Sequence, residues 1–424
     1  MILDELSNAG SDFRAKLYSG GICGGKDEFT LTSLVALFRQ ARRMVDHAIR
    51  ENCRDDGMYH SYNLMKLDHG SAQLSHLYEM LEGQVAVLSS GLLSAEEALE
   101  VLDALRSSKI YREDQQSYML YPDRELPRFL DKNMVPQKTA FRSPLLKQLI
   151  EDSDYSIIRQ DIHGDVHFNG QFCNVSDLNV ALDRLQTHPS YSKLVCDERK
   201  SLNELFEQTF GHHNFTGRSG TFFAYEGLGS IYWHMVSKLA LAVMEQCIEE
   251  HERNPNSQAL GRLHAHYQEI RNGIGLTEDP MQYGAFPADP YSHTPEGTGV
   301  RQPGMTGQVK EDVLSRWDEL GIRIRKGQLS FDPRFFESTE WLESNATLEF
   351  IDVIGCRQKM QVPRGSFAFT LCQVPIVFHH SNKRKLVIHA AGETIHRDEI
   401  VLTETETEKL FSRSDVITKI EVSF

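Results

Sequence analysis

His234 and Lys238 stand four residues apart in YEGLGSIYWHMVSK, the segment from Tyr225 to Lys238. That spacing sets both on one face of a helix, where an imidazole and an ammonium can meet the same anion. Gly227 and Gly229 supply a hinge just ahead of the helix, and Ser237 adds a hydroxyl. Further on, DPYSHTPEGTGVRQPGMTGQ (289–308) packs four glycines, three prolines, Arg301, Gln302 and the run Thr306-Gly307-Gln308 into one polar loop before another helix. Hydroxyl, amide and backbone N–H donors beside a helix start suit an oxyanion such as phosphate, and they equally suit the hydroxyls of a sugar. GRSGT (217–221) reads either as a plain turn or as a second anion loop through Arg218. It lacks the lysine and the spacing of a P-loop, so it does not point to a nucleotide.

Around these segments lie groups fitted to a pyranose. Tyr59, Tyr62, Tyr225, Tyr232, Trp233 and Tyr291 offer rings for stacking on sugar faces, about half of them serving as ordinary packing instead. Glu226 sits at the hinge, where it orders the turn or binds a sugar hydroxyl. DIHGDVHFNG (161–170) alternates like a hairpin with His163, Asp165 and His167 on one face, and a solvated hairpin face is its plain reading.

Composition narrows the class. The 424 residues are 40% hydrophobic, 25% charged and 9% aromatic, the profile of a globular protein long enough for more than one domain. A formal net charge of −15 argues against gripping a polyanionic backbone, so no nucleic-acid partner is expected. MILDELSNAG has neither the basic nor the apolar region of a secretory signal, and no window approaches the ~18 to 20 apolar residues of a membrane span. The seven cysteines are irregularly spaced without a CxxC, which fits reduced thiols and a cytoplasmic location. The sequence has no HExxH, and the adjacent His212 and His213 diverge, so metal-independent chemistry is expected.

The elements that must position these residues fall into two blocks. Residues 1–320 read mainly as helix: an amphipathic run over Leu31–Asn52, a capping box at Ser94-Ala95-Glu96-Glu97 opening a helix to about Arg106, and helices at 143–152, 175–187, 198–209, 229–252, 257–272 and 308–320. After Gly321 come short strand-like runs: IRIRKGQLSF, ATLEFIDVIG, KMQVPRG, SFAFTLCQVPIVFHH, RKLVIHAAG, DEIVLT and ITKIEVSF. Helices followed by strands indicate segregated layers, here a mainly α domain over 1–320 and an all-β sandwich over 321–424.

The order of these motifs resembles the cellobiose-phosphorylase family. EGQVAVLSSGLLSAEEALEVLDAL (82–105) followed by SYMLYPD (117–123) is similar to that family's Q-x-W-A-V-L-S-G-like run, capped helix and LLYP-like segment, with Val85 in place of its tryptophan. YEGLGSIYWHMVSK looks like its E-N-G-G-x-x-x-H turn and helix. GMTGQ resembles its L-T-G-T-A segment, and DDGMYHSYN (55–63) its D-G-x-W-x-x-R-A-Y segment near the sugar. The resemblance implies phosphate contacts from His234, Thr306 and Gly307, with Lys238 and Arg218 completing the anion set. It sets Tyr59 and Tyr62 near the sugar, and the chemistry of Glu226, Tyr291 and Gln308 adds them as expected sugar contacts. The family's general acid lies in a D-W-N-D-like turn that this chain lacks; its counterpart here is GSDFRA (10–15), with Asp12 ahead of the first long helix. The implied fold is an (α/α)6 barrel, and since about nine helices are read where such a barrel has twelve, the chain is expected to be the C-terminal part of a longer protein.

The activity so implied is inverting phosphorolysis of a β-glucoside or β-oligoglucan, giving α-glucose 1-phosphate. Inorganic phosphate is the co-substrate, a β-linked oligosaccharide the partner, and no cofactor is expected. Phosphate takes the place of the base-activated water of an inverting hydrolase, so a second catalytic carboxylate is unnecessary. Two other readings stand beside it: an inverting glycoside hydrolase of the same fold, and a non-catalytic carbohydrate-binding subunit that pairs with an N-terminal partner segment or with itself as a homodimer.

Overall fold

The computed structural model describes residues 2–22, 24, 26, 28–68, 70–212, 227–276, 293–295 and 306–424. The chain divides into two units, Met1–Cys53 and Arg54–Phe424. In the first, α1 (Ile2–Gly20) and α2 (Leu31–Glu51) are long helices. Thr30 caps α2, its hydroxyl accepting from the Ser33 N–H at 3.1 Å. GSDFRA, placed ahead of the first long helix, lies inside α1, and Asp12 is an exposed mid-helix carboxylate. An isolated glycine costs a helix only about 1 kcal/mol, and Gly10 does not stop this one.

The second unit opens with an exposed hairpin, β1 (Asn63–Asp68) and β2 (Ser71–His76), followed by α3 (Leu81–Leu88) and α4 (Ala95–Ser107). Ser94 and Glu97 form the expected capping box. A two-residue ladder, β3 (Tyr111–Arg112) with β4 (Ser117–Tyr118), leads to the next segment.

From residue 129 to 210 the chain builds a core of its own. The helical turns α5 (Phe129–Lys132) and α6 (Gln137–Ala140) precede α7 (Pro144–Glu151), the hairpin β5 (Ile158–Gln160) and β6 (Val166–Phe168), then α8 (Val175–Gln186) and α9 (Ser192–Phe210). Leu145, Leu146, Leu149, Ile158, Phe168, Leu182, Val195 and Phe206 pack together in a cluster whose buried members all lie between residues 135 and 206. Buried Asn133 pins β6: its amide donates to the Phe168 carbonyl at 2.9 Å, and its carbonyl accepts from the Phe168 N–H at 3.0 Å. Ser143 caps α7 and bonds Glu198 of α9. The helices expected at 143–152, 175–187 and 198–209 are therefore present, the last starting earlier at Ser192, but they close on each other.

The remaining helices form one layer. β7 (Ser230–Tyr232) runs directly into α10 (Trp233–Arg253), followed by α11 (Gln258–Arg271); β8 (His293–Pro295) pairs with β7, and α12 (Thr306–Glu319) closes the layer. α10 is central: it packs against α3, α4, α11 and α12 and buries Trp233, Val236, Leu239, Val243 and Cys247. A helix apolar on most sides belongs inside a layer of its fellows.

The C-terminal part is nearly all β. Hairpins β9 (Ile322–Arg325) with β10 (Gln328–Phe331) and β11 (Ala346–Ile351) with β12 (Arg357–Val362) precede the main sheet. That sheet has the order β13-β14-β17-β15-β16, from β13 (Ser366–Leu371), β14 (Val374–His379), β15 (Lys385–Ala390), β16 (Glu393–Arg397) and β17 (Ile417–Ser423). β14 and β17 are parallel and the other pairs antiparallel. Ile376, Phe378, Ile388, Ile420 and Val422 form its buried face. DEIVLT, expected as a strand, contributes only the bridge Ser330–Val401, because Thr403 and Glu406 form a capping box that starts helix α13 (Glu404–Phe411).

Candidate functional site

The resemblance-bearing segments meet through backbone and amide bonds. Gln84, fully buried in α3, accepts from the Tyr59 N–H at 2.8 Å and donates to the carbonyls of Tyr59 at 2.8 Å and Met80 at 3.1 Å. DDGMYHSYN is thereby locked onto EGQVAVL. Tyr62 donates its hydroxyl to Glu82 at 2.9 Å, while the Tyr59 ring is buried. SYMLYPD lies between α3 and the hinge: the Leu81 N–H donates to the Leu120 carbonyl at 2.9 Å, and the Leu120 N–H to the Ser230 carbonyl at 2.9 Å. Gly227 is required there. Its φ is +87°, and a Cβ would fall 2.4 Å from the Leu120 side chain.

The hinge delivers His234 to the first turn of α10. Its Nε2 is 3.3 Å from Oε1 of Glu311 on α12, and its Nδ1 is 3.4 Å from the Tyr232 hydroxyl. Contacts along the two helices step the same way, His234 with Glu311, then Ala240 and Ser315 around one small cavity. α10 and α12 therefore run parallel and begin at the same end. Thr306 and Gly307 open α12 five and four residues before Glu311, so its first turn lies within about 8 Å, along the helix axis, of the His234 contact. The N-terminal end of α12, with its free backbone N–H groups and positive dipole end, thus lies just beyond the first turn of α10 on the His234 side. Lys238, half-buried, follows one turn along α10.

Glu311 has no counterpart in the sequence reading. It is 1% exposed, and its Oε2 is buried without a hydrogen-bond partner, as is the Ser230 hydroxyl. Burial works to raise its pKa, but Lys310, at 3.0 Å from Oε1, and His234 hold it below the usual carboxylate range. One residue on, burial pushes the Asp312 carboxyl above its ordinary range.

Arg218, Glu226, Tyr225 and Tyr291 lie outside the described residues, and of Thr306, Gly307 and Gln308 only the backbone course is described. Asp12 belongs to the first unit and Asp165 to the 129–210 core, where it lines a cleft of about 560 Å³ with Arg159, Asp161 and His167. Among the described residues no group of three or more His, Cys, Asp or Glu could hold a metal ion, and no helix is long and apolar enough to cross a membrane.

Residues 126–213 match the GH149 phosphorylase insertion domain 2. The matched segment brackets the separately packed core found between residues 135 and 206, so the two boundaries agree. The match supports a glycoside phosphorylase-like family for this chain, in keeping with the resemblance carried by the motifs outside it. None of the curated proteins compared with the chain matches it.

Proposed function

We propose that the chain carries the phosphate-binding part of an inverting β-glucoside phosphorylase. In this reading inorganic phosphate attacks C1 of a β-linked glucosyl unit from the face opposite the leaving oxygen. The C1–O bond breaks, an acid protonates the departing oxygen, and α-glucose 1-phosphate results. The observation that carries the reading is the packing of α10 against α12, with His234 in the first turn of one and the Thr306-Gly307 start of the other about 8 Å away along the helix axis. It is supported by the match of residues 126–213 to a phosphorylase insertion domain. His234, Lys238, Arg218, Thr306 and Gly307 are the proposed phosphate ligands; Tyr59, Tyr62, Glu226, Tyr291 and Gln308 are the proposed sugar contacts. Asp12 is the proposed acid through the motif order alone. The helical layer is proposed as part of an (α/α)6 barrel, with the C-terminal sheet and hairpins as a β-sandwich and the whole working in the cytoplasm.

A dianion held in a desolvated site needs charged and neutral donors together, and each charge-assisted bond contributes about 1.5 to 3 kcal/mol. His234→Ala is therefore expected to raise the phosphate KM about 10- to 150-fold, and Thr306→Val to raise it by less, with the oligosaccharide KM nearly unchanged. Phosphate saturation curves at fixed oligosaccharide check this. Variants that lose sugar affinity at an unaltered phosphate KM would assign these residues to the scaffold.

A further inference from the structure

The pairing of His234 with Glu311 determines which atom of the imidazole is available to a ligand. His234 Nε2 is buried and faces Glu311 Oε1 at 3.3 Å, whereas Nδ1 lies beside the Tyr232 hydroxyl at 3.4 Å. Glu311 is itself 1% exposed, so its carboxylate is beneath the ring and shielded from solvent. Its second oxygen has no hydrogen-bond partner, and His234 Nε2, though within ion-pair reach, has no aligned acceptor. Buried polar atoms left in this condition are costly. A histidine that uses one ring nitrogen on a carboxylate has its orientation and tautomer set by that bond, and it works through the other nitrogen.

Resting on the phosphate reading of His234, we propose that Glu311 is its positioning residue: the Glu311 carboxylate accepts from Nε2–H, and the Nδ1–H of the doubly protonated ring is the donor presented to the anion. Glu311 touches no phosphate in this arrangement. It acts through the ring, from the helix whose first turn carries Thr306 and Gly307, so one rigid element sets both sides of the anion site. Lys310, at 3.0 Å from the same carboxylate oxygen but largely exposed, is the neighbouring cation.

Calorimetric titration of the full chain with inorganic phosphate tests this. An asparagine at 234 places its amide where Nδ1 stands, and a glutamine places it where Nε2 stands. His234→Asn is expected to retain more phosphate affinity than His234→Gln. Glu311→Gln is expected to weaken binding about tenfold with the melting temperature held. In the His234→Asn background Glu311→Gln should add no further loss, since no Nε2 remains for it to hold, an outcome that a purely structural carboxylate would not give. The inference is overturned if glutamine outperforms asparagine, if Glu311→Gln tightens binding because the carboxylate merely repels the anion, or if its loss is undiminished beside His234→Asn. Should His234→Ala leave phosphate affinity unchanged, the phosphate reading itself fails and this inference falls with it. If His234→Ala weakens binding and Glu311→Gln does not, only the role of Glu311 is lost.

Discussion

At the scale of residues, visibility in the sequence followed the conspicuousness of the chemistry. His234 stands out because glycines precede it and Lys238 follows at helical spacing. Glu311 does not, since a glutamate beside Lys310 on an amphipathic helix reads as a solvated face, and only the packing of α12 on α10 buries it. Asp12, singled out as the counterpart of a turn-borne acid, lies within a helix, because the surrounding helix formers carry α1 through Gly10 and Ser11. Glu421 was equally invisible, because its partners come from three strands. Its carboxylate accepts from Lys419 at 2.6 Å and from His379 and His389 at 2.9 Å each. Burial works against the charge, but these bonds hold its pKa down to about 2. A depressed carboxylate stabilises the fold above its unfolded pKa of about 4.3, and that contribution disappears as pH falls toward 2. Urea midpoints of the wild type are therefore expected to drop between about pH 5 and 2, and Glu421→Gln should lower the midpoint at pH 7 while flattening that acid limb.

At the scale of elements, helix caps and periodicity place Ser94-Glu97 and the amphipathic α2 correctly, whereas the helix expected from 229 begins at Trp233 because Ser230–Tyr232 pair as β7 with β8. What periodicity does not encode is which helices share a core. α7, α8 and α9 have the same apolar spacing as the helices around α10, so only the three-dimensional cluster of Leu146, Phe168, Leu182 and Phe206 separates them. Short elements with strong local signals were lost inside broader expectations, as α13 was inside a run of strands. The separate core carries its own prediction. A polypeptide of residues 126–213 should melt cooperatively by itself, and Phe206→Ala, which removes a 1%-exposed ring packed edge-on to Phe168, should cost it about 3 to 5 kcal/mol. Circular dichroism and urea unfolding of the isolated segment would show this; a non-cooperative transition would mean that its core needs the rest of the chain.

At the scale of the molecule, the change from helices to strands was legible at Gly321, whose φ of +63° ends α12 and begins the β region. α12 ties the two together. Its last residue, Glu319, is buried and accepts from Tyr267 at 2.6 Å, Arg271 at 2.5 Å and Arg316 at 2.5 Å, while Arg316 also binds Glu340 beyond the first hairpin. The helix whose first turn is proposed to meet phosphate is thus anchored at its far end by a buried charge network, which favours a preorganised site over a mobile one. Phosphate, not water, is the nucleophile this site is proposed to serve. The most direct measurement is proton NMR of the chain incubated with β-1,2-, β-1,3- and β-1,4-linked oligoglucosides, with and without inorganic phosphate. One of these substrates is expected to be consumed only when phosphate is present, with α-glucose 1-phosphate as the first product. Cleavage to free glucose at the same rate in phosphate-free buffer would contradict phosphorolysis.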